Sequence, residues 1–210
     1  MKQRTLAVVS AGLSQPSSTR LLADRLAAAT SGELDRLGVS VDTTFVEVRD
    51  HAHDIMNNLL TGFPAAGLRE AIDTVSNADG LIVVTPIFNA SFSGLFKSFF
   101  DVLDDSALIG RPVLLAATGG SARHSLALEH AVRPMFSYLR SQTVPTSVYA
   151  APEDWAGAPG DAEASGALAD RIRRAATELA ELIDRHEPTK AADPFALTTT
   201  FEELLGGSSD

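Results

Sequence analysis

The chain predicts an α/β fold, a doubly wound five-stranded parallel sheet of order 2-1-3-4-5 with helices on both faces. Three observations carry this. Strand-like and helix-like runs alternate along the chain. The run Gly80-Leu81-Ile82-Val83-Val84 is continuous with no charged or polar break, as a parallel strand covered on both faces requires. The turn after the first strand has neither the G-x-G-x-x-G of a dinucleotide fold nor the G-x-x-x-x-G-K of a P-loop. It runs from Ser10 to Thr19 with one glycine and five hydroxyls in ten positions. That favours the order in which the turns after strands 1, 3 and 4 are spatial neighbours.

The elements follow in sequence. Residues 6–9 (Leu, Ala, Val, Val) form a short buried strand, and a helix starts near Thr19 with Leu21, Leu22, Leu26, Leu34 and Leu37 on its apolar side. Residues 40–48, with Val41, Phe45 and Val48, suit a strand nearer the sheet edge. Ile55, Met56, Leu59 and Leu60 suggest a short helix stopped by Gly62 and Pro64, and residues 68–75 suggest another. The third strand turns on Pro86, and from Gly94 the residues Leu95, Phe96, Phe99, Phe100 and Leu103 recur at helical spacing. Pro112 opens a fourth strand, 113–117. Residues 126–139 read as a helix with Pro134 as a kink or boundary, 144–149 as a fifth strand, and 162–186 as a long helix. The body is expected to span residues 1–186. A polar tail, 187–210, carries Phe201, Leu204 and Leu205, which invite packing on the body or on a neighbouring subunit.

Composition narrows the class. A chain of 210 residues can build one domain with a substantial core. The net charge of −10 argues against nucleic acid or an anionic membrane as partner. The absence of cysteine excludes disulfides, thiolate nucleophiles and Cys-ligated metals. No apolar stretch reaches the roughly 18 residues of a membrane span. Met1-Lys2-Gln3-Arg4 leads straight into a strand without a signal-peptide core, so a soluble cytoplasmic protein is expected.

In the 2-1-3-4-5 order three turns meet at one crevice. The first offers Ser10, Ser14, Ser17, Ser18 and Thr19 at the start of a helix, a combination suited to a phosphate monoester. One hydroxyl would serve as N-cap; five exceed that need. The third-strand turn, Pro86, Ile87, Phe88, Asn89 and Ala90, offers a ring and an amide. It suits a flat heteroaromatic ligand, unless Phe88 simply anchors a plain loop in the core. The fourth-strand turn, Thr118, Gly119, Gly120 and Ser121, lets backbone approach a ligand closely. Phosphate at one end and a planar ring at the other describe a mononucleotide, with FMN the best fit. His124 could reach the ring or a second nucleotide, or cap a helix, and Arg123 is a candidate phosphate partner. His51 and His53 would fall on different faces of a helix, so no metal site is expected. Neither a Ser-His-Asp order nor paired carboxylates stand out, and no acid–base catalyst is assigned.

With these residues in view the chain resembles the NAD(P)H-dependent FMN reductases of flavodoxin-like fold, in an actinobacterial-type branch. The resemblance rests on SSTRLLADRL after the first turn, LLTGFP near Leu60, TPIFNASFSGLFKSFFD and ATGGSARHSLALEHAVRP, and covers roughly residues 5 to 155. It implies that Ser10, Ser14, Ser17, Ser18 and Thr19 surround the FMN phosphate. Residues 86–90 would line one edge of the isoalloxazine and residues 118–121 its pyrimidine side. It further implies hydride transfer from NADPH or NADH to the flavin, supply of reduced FMN to a partner monooxygenase, and a homodimer or homotetramer. Where the family usually has an aromatic followed by Gly-Ser, this chain has Phe88-Asn89-Ala90-Ser91. The alternatives are a quinone or azo reductase with prosthetic FMN, and a non-catalytic flavodoxin-like electron carrier.

Overall fold

The alternating pattern folds as expected into one sheet with helices on both faces; the computed structural model describes residues 2–155 and 166–187. Strand β1 (Lys2–Ser10) pairs in parallel with β2 (Val39–Glu47) and with β3 (Gly80–Phe88). The end of β3 also carries a two-residue antiparallel partner, β4 (Ser91–Phe92). On its other side β3 pairs with β5 (Pro112–Thr118), and the far edge consists of β6 (Gln142–Thr143) and β7 (Val148–Ala150), both parallel to β5. With β6 and β7 taken as one interrupted strand, the parallel strands run 2-1-3-4-5.

The interruption corrects the expected continuous strand at residues 144–149, and Pro145 is its cause. Val144 N–H still donates to the Val113 carbonyl at 2.9 Å, but proline has no N–H to continue the ladder. Side chains then take up the freed backbone groups. Arg133 donates to the carbonyls of Val144 at 3.1 Å and Pro145 at 3.2 Å. Glu178 accepts from the backbone N–H and the hydroxyl of Thr146 at 2.8 and 2.7 Å.

Helix α1 (Ser18–Arg36) covers one face. Helices α2 (Ala52–Thr61), α3 (Ala66–Asn77), α4 (Gly94–Asp101) and α5 (Arg133–Tyr138) cover the other, and α6 (Gly166–Arg185) returns beside α1. Strand alternation feeds both cores. Leu6, Val8, Ile82, Val84 and Leu114 face α1 and α6, while Ala7, Val9, Leu81, Val83 and Leu115 face the other side. Below β3 the rings of Phe96 and Phe100 lie 4.9 Å apart, and Phe100 meets Phe136 edge-on at 5.0 Å. Such pairs add roughly 0.5–1.5 kcal/mol each beyond area burial, which pins α4 and hence the turn that precedes it.

The short helix expected around Ile55 to Leu60 forms as α2 and stops at the left-handed Gly62; it buries Ile55 and Asn58, while Met56, Leu59 and Leu60 stay exposed. The expected helix at 126–139 opens as a π-turn, Leu128–Val132, in which Arg133 N–H bonds the Leu128 carbonyl. In an α-helix the ring of Pro134 would strike the carbonyl four residues back, and the wider turn relieves that clash.

At the pole opposite the crevice, Asp79 accepts from Thr5 N–H at 2.7 Å and lies 3.4 Å from the Arg4 guanidinium. Arg4 also donates to the His186 carbonyl, which ties the end of α6 to β1. No helix among the described residues is long and apolar enough to cross a membrane. The tail beyond Glu187 and the expected helix start at 162–165 lie outside the described residues.

Candidate functional site

Where β1 ends, Ala11 N–H donates to the Val84 carbonyl at 3.0 Å and the chain turns off the sheet. A Cβ on Gly12 would stand 2.1 Å from Ser17 Oγ, so glycine lets this turn fold back on the helix start. Ser17 is the N-cap of α1 and accepts from Arg20 N–H at 3.2 Å. That spends one hydroxyl on capping. Thr19 spends a second, because its Oγ1 lies 2.8 Å from Thr118 Oγ1 with both residues buried. Ser10 is fully buried and its hydroxyl has no hydrogen-bond partner among the described residues. Ser14 and Ser18 are exposed.

At the end of β3, Thr85 Oγ1 accepts from Ser93 N–H at 3.2 Å and donates to the Pro86 carbonyl at 3.0 Å. Ser93 in turn caps α4 by accepting from Phe96 N–H. Between them Phe88 pairs with Ser91 across a two-residue hairpin turn whose central residues, Asn89 and Ala90, have φ of 48° and 66°. A turn of the I′ kind needs both positions left-handed, because only then does its twist match that of the strands. Asparagine tolerates this region; alanine holds it at a cost. Phe88 is 47% exposed, so its ring is no core anchor.

After β5, the two glycines have different tasks. A Cβ on Gly119 would fall 2.1 Å from Tyr149 Oη, which donates to the Ser121 carbonyl at 2.8 Å. The space that Gly119 leaves is therefore taken by the protein itself. Burial, with Glu153 and Asp154 nearby, pushes the Tyr149 phenol up, so it stays a donor. A Cβ on Gly120 would meet nothing within 4 Å among the described residues. Close approach by a ligand is thus available at Gly120. The Ser121 hydroxyl accepts from Arg123 N–H within its own short turn.

The three turns enclose a cleft of about 400 Å³ that brings together Ser14, Ser18, Thr19, Pro86, Ile87, Phe88, Thr118, Gly119 and Gly120. Leu13 and Pro152 complete it, and both were missed in the sequence. Leu13 carried a signal, as an apolar residue in an otherwise polar turn that remains 53% exposed. Ala90 and His124 instead line a separate cleft of about 320 Å³ with Arg123 and His130. Ser17 lines a third, of about 300 Å³, beside Arg20 and Arg49. Ser10, Asn89 and Ser121 line none of these three.

The donor set fits a phosphorylated, flat-ringed ligand such as FMN. The first turn contributes hydroxyls and a helix start to the cleft, the third-strand turn Phe88 and the fourth-strand turn the bare Gly120, and the volume falls within the roughly 300–1,000 Å³ of small-molecule sites.

Comparison with known proteins points the same way. The sequence profile of the family described as NADPH-dependent FMN reductase matches residues 4–156. The chain is 39% identical over 185 residues to the NADH-dependent FMN reductase SfnF of Pseudomonas fluorescens (strain Pf0-1), covering 87% of this chain and 95% of that protein. It is 39% identical over 147 residues to an FMN reductase (NADPH) of Pseudomonas aeruginosa, covering 70% of this chain and 76% of that one. Among solved structures, an oxidoreductase from Corynebacterium diphtheriae superposes with a TM-score of 0.83 at 45% identity, over 89% of this chain and all of the other.

Proposed function

The chain belongs to the NADPH-dependent FMN reductase family, and from that premise we propose that the three-turn cleft is the seat of FMN. The protein is an NAD(P)H-dependent FMN reductase of flavodoxin-like fold, an oxidoreductase that uses FMN and a nicotinamide nucleotide. The convergence of the three turns on one cleft, closed at its base by the Thr19–Thr118 hydroxyl pair, carries the placement.

In this reading the phosphate lies toward Ser14, Ser18 and the start of α1, whose unpaired N–H groups and positive end favour an anion. The isoalloxazine lies toward Phe88 and Gly120. When bound, the flavin supplies the hydride acceptor and the nicotinamide the hydride, and the chemistry is theirs. The residues of this chain orient the ring, exclude water from one of its faces and present backbone near Gly120 to its polar edge. No acid–base side chain is assigned.

Phe88, half exposed at the cleft, suits a flavin that enters and leaves, and reduced FMN would then pass in the cytoplasm to a partner monooxygenase. The working form is a homodimer or homotetramer, for which Leu60 and Phe63, 86% and 80% exposed, offer apolar surface to cover.

The test is FMN titration followed by NADH and NADPH oxidation with and without free flavin. Binding with flavin-dependent oxidation and sequential kinetics is the expected result. Protein that neither binds FMN nor oxidises either nucleotide would sink the reading, and ping-pong kinetics with tightly held flavin would replace flavin supply by reduction of a second acceptor.

A further inference from the structure

A cation stands behind the hydroxyl-rich turn. Arg49 sits in the short 3-10 turn Val48–His51 that follows β2, with a side chain only 24% exposed. Its Nη1 donates to the Ser14 carbonyl at 3.3 Å. With the Gln15 amide oxygen turned toward it, the same nitrogen lies 3.2 Å from that oxygen. Arg49 thereby holds two consecutive residues of the first-strand turn from the turn that follows β2.

Ser14 is the shared wall between the three-turn cleft and the neighbouring cleft where Arg49, Arg20, Asp24 and Glu47 meet. The charges there do not balance without Arg49. Arg20 binds Asp24 at 2.8 Å and Glu47 at 2.7 Å, so that trio sets one cation against two carboxylates. Asp50, 3.4 Å from Arg49, has a side chain 63% exposed, where water screens it. A phosphate dianion arriving at Ser14 meets a surplus carboxylate, and Arg49 is the charge that offsets it. The Ser14 carbonyl, which would repel an anion if it were free to face one, is engaged by the same guanidinium.

We propose that Arg49 is a positioning residue for the FMN phosphate: it clamps the turn at Ser14 and Gln15 and cancels the excess negative charge of Asp24 and Glu47. The inference rests on the phosphate placement given above. It assigns to Arg49 the preference of this site for FMN over riboflavin, which has the same ring and no phosphate.

Fluorescence titrations of the full chain with FMN and with riboflavin, at low and high salt, test it. Wild-type protein should prefer FMN; equal affinity for the two would overturn the phosphate placement itself, before any variant is made. In Arg49→Gln, FMN affinity should fall roughly tenfold and riboflavin affinity less than twofold, with the FMN deficit shrinking at high salt. Arg49→Lys keeps the charge and loses the fork, so it should recover most of the FMN affinity. Equal losses for both ligands would mean that Arg49 only supports the fold, and an unchanged FMN affinity would remove it from the site. Both results overturn the proposal. Should Arg49→Gln fail to fold, as read by thermal melting, Arg49→Lys still decides, because a loss of about two- to threefold confined to FMN is expected.

Discussion

The hydroxyls of Thr19 and Thr118 lie 2.8 Å apart in a buried position, joining the first turn of α1 to the last residue of β5. Their positions are far apart in sequence, yet the pair fixes how the first and fourth strand turns face each other. Each hydroxyl is partnered by the other, so removing one strands its mate away from water. Thr19→Val or Thr118→Val should each cost about 1–3 kcal/mol in urea denaturation. The double variant should cost less than the sum of the two, with a coupling of roughly 1 kcal/mol. Strict additivity would mean that the bond contributes nothing.

The glycines after Thr118 should separate in the same assay. In Gly119→Ala the new methyl meets Tyr149 Oη, whose ring is held in the core and whose hydroxyl bonds Ser121. A loss of about 2 kcal/mol is expected as that bond breaks and the ring is displaced. Gly120→Ala places its methyl in open space on the cleft wall, so stability should stay within about 0.5 kcal/mol. FMN affinity should nevertheless fall. If Gly120→Ala binds FMN normally, the ring does not lie against Gly120.

These two cases show what the sequence could and could not reveal. The apolar run of β3 and the helical spacing of Phe96, Phe99 and Phe100 are local signals, and they placed the central strand and its following helix correctly. The hydroxyl-rich turn was legible as a site region, but the division of labour within it was not. Ser17 caps, Thr19 reaches Thr118, and Ser14 and Ser18 remain exposed. That division depends on partners distant in sequence. Gly119 read as room for a ligand because Tyr149, which fills the room, sits on another strand. The hairpin at Asn89-Ala90 was hidden because it lacks the glycine that normally announces such a turn.

The hairpin yields its own prediction. Ala90 has φ of 66°, a conformation that costs an L-residue with a Cβ about 1–2 kcal/mol. Ala90→Gly removes that cost but adds freedom to the unfolded chain, which offsets part of the gain. A net stabilisation of about 0.5–1 kcal/mol is expected by urea denaturation. Ala90→Val should move the other way, since a β-branched residue fits this region worse. A destabilised Ala90→Gly would show that Ala90 does not hold the left-handed conformation.

A pH prediction follows from the opposite pole. Burial holds the His186 imidazole below its ordinary value, and Arg111 and then Arg4 add repulsion that Asp79 only partly counters. Its Nε2 is buried without a partner among the described residues, so no acceptor among them stabilises the charged form there. The unfolded chain takes up a proton near pH 6.5 while the folded chain still refuses it. The neutral imidazole's contribution to stability is therefore complete above about pH 6.5 and is lost as pH falls from there toward the folded value. Glu129 acts in a lower window. Its hydrogen bond to Arg133 depresses it, so its contribution is present above the ordinary carboxylate range and is lost only in stronger acid. Urea midpoints compared between about pH 7.5 and 5.5 should drop in the wild type and drop less in His186→Gln, which keeps the backbone carbonyl that Arg4 engages. An identical drop in both proteins would place the acid sensitivity elsewhere.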